Sequence, residues 1–136
     1  MTAFHGAKLL LTHESRMLVY LRDDRHGLPF PAHWDLPGGG REGGESPLDC
    51  ARRELLEEFA LHLPPERLSG RAFPSHANPR LSSWLFRGTL SADDIAAIRF
   101  GDEGQEWRLM PVIEYLDHAR SIPHFCSWIR ALTLSA

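Results

Sequence analysis

The sequence predicts an α/β fold in which a mixed sheet lies between helices. Three observations carry this expectation. Short apolar or alternating runs read as strands, two amphipathic stretches read as major helices, and the two kinds of element do not alternate as a clean βαβ series requires. At 136 residues, with 43% hydrophobic and 24% charged side chains, the chain has the size and composition of one globular domain, expected to span residues 1–136.

Phe4 to Leu11 and Met17 to Leu21 are strand-like runs separated by His13, Glu14 and Ser15, which predicts a hairpin. Arg22 to Pro37 is rich in proline, glycine and charge, as expected of a loop leading into a short extended segment. Ser46-Pro47 marks a helix start: serine caps free amides, and proline suits the first helical position, where a missing N–H costs nothing. That helix is predicted to reach about Phe59, where LPPERLSG breaks it. Leu81 to Leu90 reads as a strand with Trp84 and Phe86 on one face and Leu85 on the other. SADDIAAI is a short helix capped by Ser91, and Glu106 to Val112 a last strand. Pro123 to Leu134 closes the chain as a helix with Phe125, Trp128, Ile129 and Leu132 along one side.

A formal charge of -3 leaves no basic footprint, so a nucleic acid polymer is excluded as the main partner. Small anionic ligands fit if a cation bridges them. Cys50 and Cys126 lie far apart and form no CxxC pair, which suggests neither a zinc ribbon nor a disulfide framework, so both are expected reduced and buried. The apolar run near the start is too short for a signal peptide or a membrane span, and a cytoplasmic location is expected.

The chemistry concentrates between Gly38 and Leu61. At 100° per residue, Glu54, Glu57 and Glu58 fall in one sector of a helix whose opposite side carries Leu48, Leu55 and Phe59. Repulsion within that trio costs only about 0.2 to 0.5 kcal/mol per pair in water, so helix geometry alone leaves two readings, a metal site or a solvated face. Arg52 and Arg53 cannot neutralise all the acids, and Glu45 adds another carboxylate near the same end. Oxygen-rich clusters of this kind suit hard cations such as Mg2+, which also take substrate phosphates as ligands.

The segment resembles the signature of the Nudix hydrolases, a family that includes MutT. Gly39, Glu45, Arg53, Glu54, Leu55, Glu57, Glu58 and Leu61 match it in place, while Ala60 stands where the family usually has glycine. The lead-in WDLPGGG is similar to the family as well. This resemblance implies an α/β/α sandwich with a mixed sheet, and Mg2+-dependent hydrolysis of a nucleoside diphosphate linked to another group, with Mn2+ able to substitute. It implies Glu57 and Glu58 as principal metal ligands, Glu54 as a third ligand or the base, and the Gly39 carbonyl as a further donor. Arg53 would hold a glutamate in position through a charge-assisted bond. Glu103 in DEGQEW resembles the family's additional ligand or base, with Glu106 its rival. Homodimers are common among such relatives, and no residue here argues for one.

Other residues are weaker. Gly38, Gly40 and Gly43 also fit GxGxxG, but the chain is short for a doubly wound sheet, and a turn bringing backbone close to phosphate and metal is the preferred reading. The eight histidines make no HxH or HExxH arrangement, so zinc is not expected, and substrate contact by His76 or His124 is the minor alternative to ordinary packing. Arg22 and Arg41 are candidates to clamp phosphates, and Trp34, Trp84 and Phe30 to stack a base, against surface and core roles respectively. Substrates in view are nucleoside triphosphates, oxidised dGTP among them, nucleotide sugars and dinucleoside polyphosphates. HARSIPHF lacks the asparagine with which relatives that clear oxidised guanine nucleotides read the base. The alternatives are a silent nucleotide-binding or sensor module of the same fold, and a structural protein with a wet acidic helix.

Overall fold

The computed structural model describes residues 3–134. The expected hairpin forms from β1 (Phe4–His13) and β2 (Arg16–Leu21), with Glu14 and Ser15 both at positive φ in the two-residue turn. Their pairing is confined to the turn end, Thr12 with Met17 and His13 with Arg16. Beyond that point the two strands take different partners. β3 (Trp34–Asp35) pairs with β2, and β4 (Gly38–Gly40) pairs with β1, so the WDLPGGG segment fills the opening between them. The glycine run is therefore a short strand rather than the expected turn. Gly38 takes φ 123°, and a Cβ on it would collide with the Ala7 carbonyl, so glycine is what permits this close crossing.

The helix α1 (Pro47–Phe59) and the strand β6 (Ser82–Thr89) fall where the sequence places them. β6 runs parallel to β1 and antiparallel to β5 (Ser69–Pro74), an edge strand the sequence does not reveal. β7 (Glu106–Pro111) pairs antiparallel with β2 along its length. The sheet is thus mixed, as expected. Short helices α2 (Ala92–Ala96), capped by Ser91, and α3 (Val112–Asp117) precede the closing helix α4 (Pro123–Leu134).

Alternation along the strands builds two cores. Leu9, Leu11, Leu18 and Tyr20 face α1 with its Leu55 and Phe59, while Leu10, Met17, Val19 and Leu85 face α4 with Phe125, Trp128 and Ile129. Trp84 and Phe86 lie on the α1 side, opposite Leu85. Buried Tyr115 secures the second layer by donating its hydroxyl to the Trp34 carbonyl at 2.9 Å. Among the described residues no helix is long and apolar enough to cross a membrane.

Candidate active site

α1 begins as its sequence dictates, with Ser46 Oγ accepting from the Asp49 amide at 3.1 Å and proline in the first turn. Leu55 and Phe59 are fully buried, and Leu48 packs against the same core. The three glutamates do not share one solvated face. Glu58 lies about 60° around the wheel from Leu55, on the flank of the packed stripe, and β4 covers that flank. Glu58 is only 7% exposed, and its Oε1 accepts from the Gly38 amide at 2.8 Å. Burial pushes its carboxyl up to about 8, against the pull of the Lys8 ammonium. Glu54 is also largely withdrawn from water, which raises its pKa, and a Cβ on Gly39 would come within 2.6 Å of its carboxylate carbon. Glu57 alone of the trio stays half exposed.

Arg53 supplies the countercharge. Its Nε and Nη2 donate to the two oxygens of Glu45 at 3.0 and 2.9 Å, and Nη2 also donates to the Gly40 carbonyl at 2.9 Å. Nη1 reaches Glu54 and Glu57 at 3.0 Å each and Glu42 at 2.8 Å. Instead of holding one glutamate, this guanidinium gathers four and ties α1 to β4. Its bonds hold the Glu45 carboxyl down at about 2.

Glu54, Glu57, Glu58, Arg53 and Gly39 line a polar cleft of about 420 Å³, and Glu103 stands on its wall beside Asp102. The Glu103 loop is fixed at both ends: the Gly101 amide donates to Glu58 O at 2.9 Å, and the Gln105 amide to Leu21 O at 2.8 Å. Glu106, its rival, opens β7 opposite Leu21 and does not line the cleft.

An apolar chamber of about 290 Å³ adjoins the cleft, and Lys8, Arg22, Gly39 and Gly40 line both. Phe30, Phe125 and Trp128 form much of its wall, and His76 and His124 stack in parallel there, with centroids 4.3 Å apart. Burial lowers His124 to about 4. Arg22 stands at the junction with Nη1 on Asp35 at 2.9 Å. The other candidates lie elsewhere. Trp34 is buried in the α4 core, Trp84 packs against the α1 core, and Arg41 lies over the Phe4 ring with its carbon 4.7 Å from the centroid. The rings of Trp34 and Trp84 are spent on packing, and Arg41 faces neither cavity.

Sequence reasoning missed Lys8, Tyr20 and Asp35. Buried Asp35 accepts from Lys8 at 3.1 Å, Tyr20 Oη at 3.0 Å, Arg22 at 2.9 Å and the Leu36 amide at 2.7 Å. The available signal was Lys8 itself, a lone charge inside the apolar run AKLLL.

By type the donors suit a hard divalent cation: Glu54, Glu57 and Glu58 line one cleft together with Gly39, and Glu58 is buried. As they stand, no three His, Cys, Asp or Glu side chains among the described residues come together closely enough to hold a metal ion. Glu57 gives both oxygens and Glu54 one to Arg53, and Glu58 gives one to the Gly38 amide.

Comparison with known proteins agrees with this fold. The chain is 30% identical over 136 residues to an uncharacterized Nudix hydrolase of Pseudomonas aeruginosa, covering 95% of this chain and 75% of that one. Its fold is similar to that of the MutT protein from Methanosarcina mazei, with TM-score 0.76 at 19% identity over 98% of this chain and 96% of that one. It is likewise similar to an Ap4A hydrolase of C. elegans, with TM-score 0.66 at 21% identity over 95% and 96% of the two chains. The profile of the NUDIX domain matches residues 2–129, and the chain belongs to the Nudix hydrolase family.

Proposed function

We propose that the cleft hydrolyses the diphosphate linkage of a nucleoside diphosphate derivative with Mg2+, for which Mn2+ can substitute. The observation that carries this reading is the meeting of Glu54, Glu57, Glu58 and Glu103 on one cleft that opens into an apolar chamber. The diphosphate lies in the cleft along Gly39 and Gly40, and the remainder of the substrate enters the adjoining apolar chamber. Glu54, Glu57, Glu58 and the Gly39 carbonyl hold the cation, which when bound offsets phosphate charge and lowers the pKa of water. Arg53 keeps Glu54 and Glu57 from swinging away. Arg22, with Nη1 on Asp35 and Nε on the Pro29 carbonyl, presents its remaining N–H groups to a phosphate at the junction. Glu103 accepts the proton of the attacking water, with Glu54 as the alternative base.

The substrate class covers nucleoside triphosphates, oxidised dGTP among them, nucleotide sugars, and dinucleoside polyphosphates such as the Ap4A of the C. elegans relative. The two free, buried thiols, Cys50 and Cys126, suit a reducing cytoplasm. The test is a screen of these compounds with and without Mg2+, with product identified by chromatography. Mg2+-dependent release of a nucleoside monophosphate is expected, and Glu58→Gln should lower turnover at least about 100-fold. Mg2+ should also raise the melting temperature of the wild type and not that of Glu58→Gln. Near-normal turnover by that variant would remove Glu58 from the centre.

A further inference from the structure

Lys8 sits in the middle of an apolar strand, on the partition between the cleft and the chamber. A cation on that wall invites a role as phosphate clamp, but its bonds are already committed. An ammonium has three N–H donors, and Lys8 Nζ lies 3.1 Å from Asp35 Oδ1, 3.2 Å from the Leu36 carbonyl and 3.1 Å from the Gly38 carbonyl. The Phe125 ring closes off another approach, with its centroid 5.7 Å away. Turning to a substrate would leave buried carbonyls and a buried carboxylate short of a partner.

Together with the Glu58 carboxylate, those bonds hold the backbone around Gly38 from opposite faces of the sheet: Lys8 takes the Leu36 and Gly38 carbonyls, on either side of the 37–38 peptide, and Glu58 takes the amide of that peptide. Lys8 is paired with Gly38 across the β1–β4 ladder and with Leu85 of the α4 core, so its side chain takes the Gly38 carbonyl from the α4 side. The Gly38 amide points to α1, where it donates to Glu58 at 2.8 Å. We propose that Lys8 is a positioning residue, a three-bond clamp that fixes the backbone on both sides of the Gly38 amide and through that amide the orientation of the Glu58 carboxylate. The role deepens the function proposed above and rests on it for turnover, while the Gly38 amide reports on the clamp without any reaction.

The experiment compares wild type, Lys8→Met and Lys8→Arg. Amide exchange is followed by NMR, Mn2+ affinity by titration, and turnover with the best compound of the screen. In Lys8→Met the Gly38 amide should exchange at least about tenfold faster while those of Leu9 to Leu11 hold, and Mn2+ affinity and kcat should each fall about 10- to 100-fold with KM unchanged. Lys8→Arg keeps the charge but cannot bring three donors to one point, and should show the same losses. Unchanged Gly38 exchange in a folded Lys8→Met overturns the proposal, as does wild-type behaviour of Lys8→Arg, or a loss confined to KM, the mark of substrate contact. Should Lys8→Met fail to fold, Lys8→Gln, with two amide donors, should give smaller losses of the same kind, and wild-type exchange at Gly38 would again overturn it. If no compound is hydrolysed, amide exchange and Mn2+ affinity still decide the role of Lys8.

Discussion

Ala60 ends α1 in the left-handed region, φ 55° and ψ 28°, while its amide donates to the Leu56 carbonyl. The family's usual glycine accepts this conformation freely, whereas alanine holds it at a cost of about 1 to 2 kcal/mol. Ala60→Gly should therefore stabilise the protein by a net of about 0.5 to 1 kcal/mol, because the freer unfolded chain of glycine offsets part of the gain. A urea midpoint shifted upward at constant m-value would show it, and an unchanged midpoint would mean that the cap is not strained. At this scale the sequence was informative wherever a residue's role is local. The departure at position 60 and the acids of the helix could be read directly. The burial of Glu58 could not, because it depends on β4, a strand 20 residues away in the chain that crosses the flank of the helix.

Among the elements, α1 was legible to its ends because Ser46, Pro47 and the proline-rich break act locally. The strands that complete the site were not. β3 and β4 have two and three residues, too few for alternation, and their pairing comes from the opening between β1 and β2. β5 is an exposed edge strand, SGRAFP, with no apolar period. The three glycines of β4 make a prediction that separates folding from chemistry. A Cβ on Gly38 meets the fixed backbone of Ala7, and alanine there would have to hold the positive φ of 123°, so Gly38→Ala should destabilise by about 3 kcal/mol. The atoms nearest a Cβ on Gly39 all belong to the Glu54 carboxylate, the far end of a flexible chain. Gly39→Ala should keep its melting temperature within a few degrees while displacing Glu54, with turnover down about tenfold or more. Equal effects of the two variants on melting temperature would contradict this division of β4.

Across the whole molecule, groups in different layers pull stability in opposite directions with pH. Glu58, under α1, has its pKa raised by burial from 4.5 to about 8, so the folded state holds a proton that the unfolded chain has released. Its contribution is complete below pH 4.5 and drains away as the pH rises to about 8. His124, under α4, is lowered by burial from 6.5 to about 4, so between those values the unfolded chain binds the extra proton and stability falls as the pH falls. Glu45, held at about 2 by Arg53, and Asp94, held at about 2 by Arg67, add to the loss below their ordinary values of 4.5 and 3.8. The metal-free protein, kept in EDTA, should therefore melt highest between about pH 5 and 6.5 and lose stability on both sides. Each limb has its own author in the structure. Glu58→Gln should flatten the fall from 6.5 to 8, and His124→Gln should let stability go on rising as the pH falls from 6.5 to about 4.5, below which the loss due to Glu45 and Asp94 remains. Melting temperatures from pH 3 to 9 for the three proteins test this, and a wild type that gains stability steadily up to pH 8 would show that Glu58 is ionised within the metal-free fold.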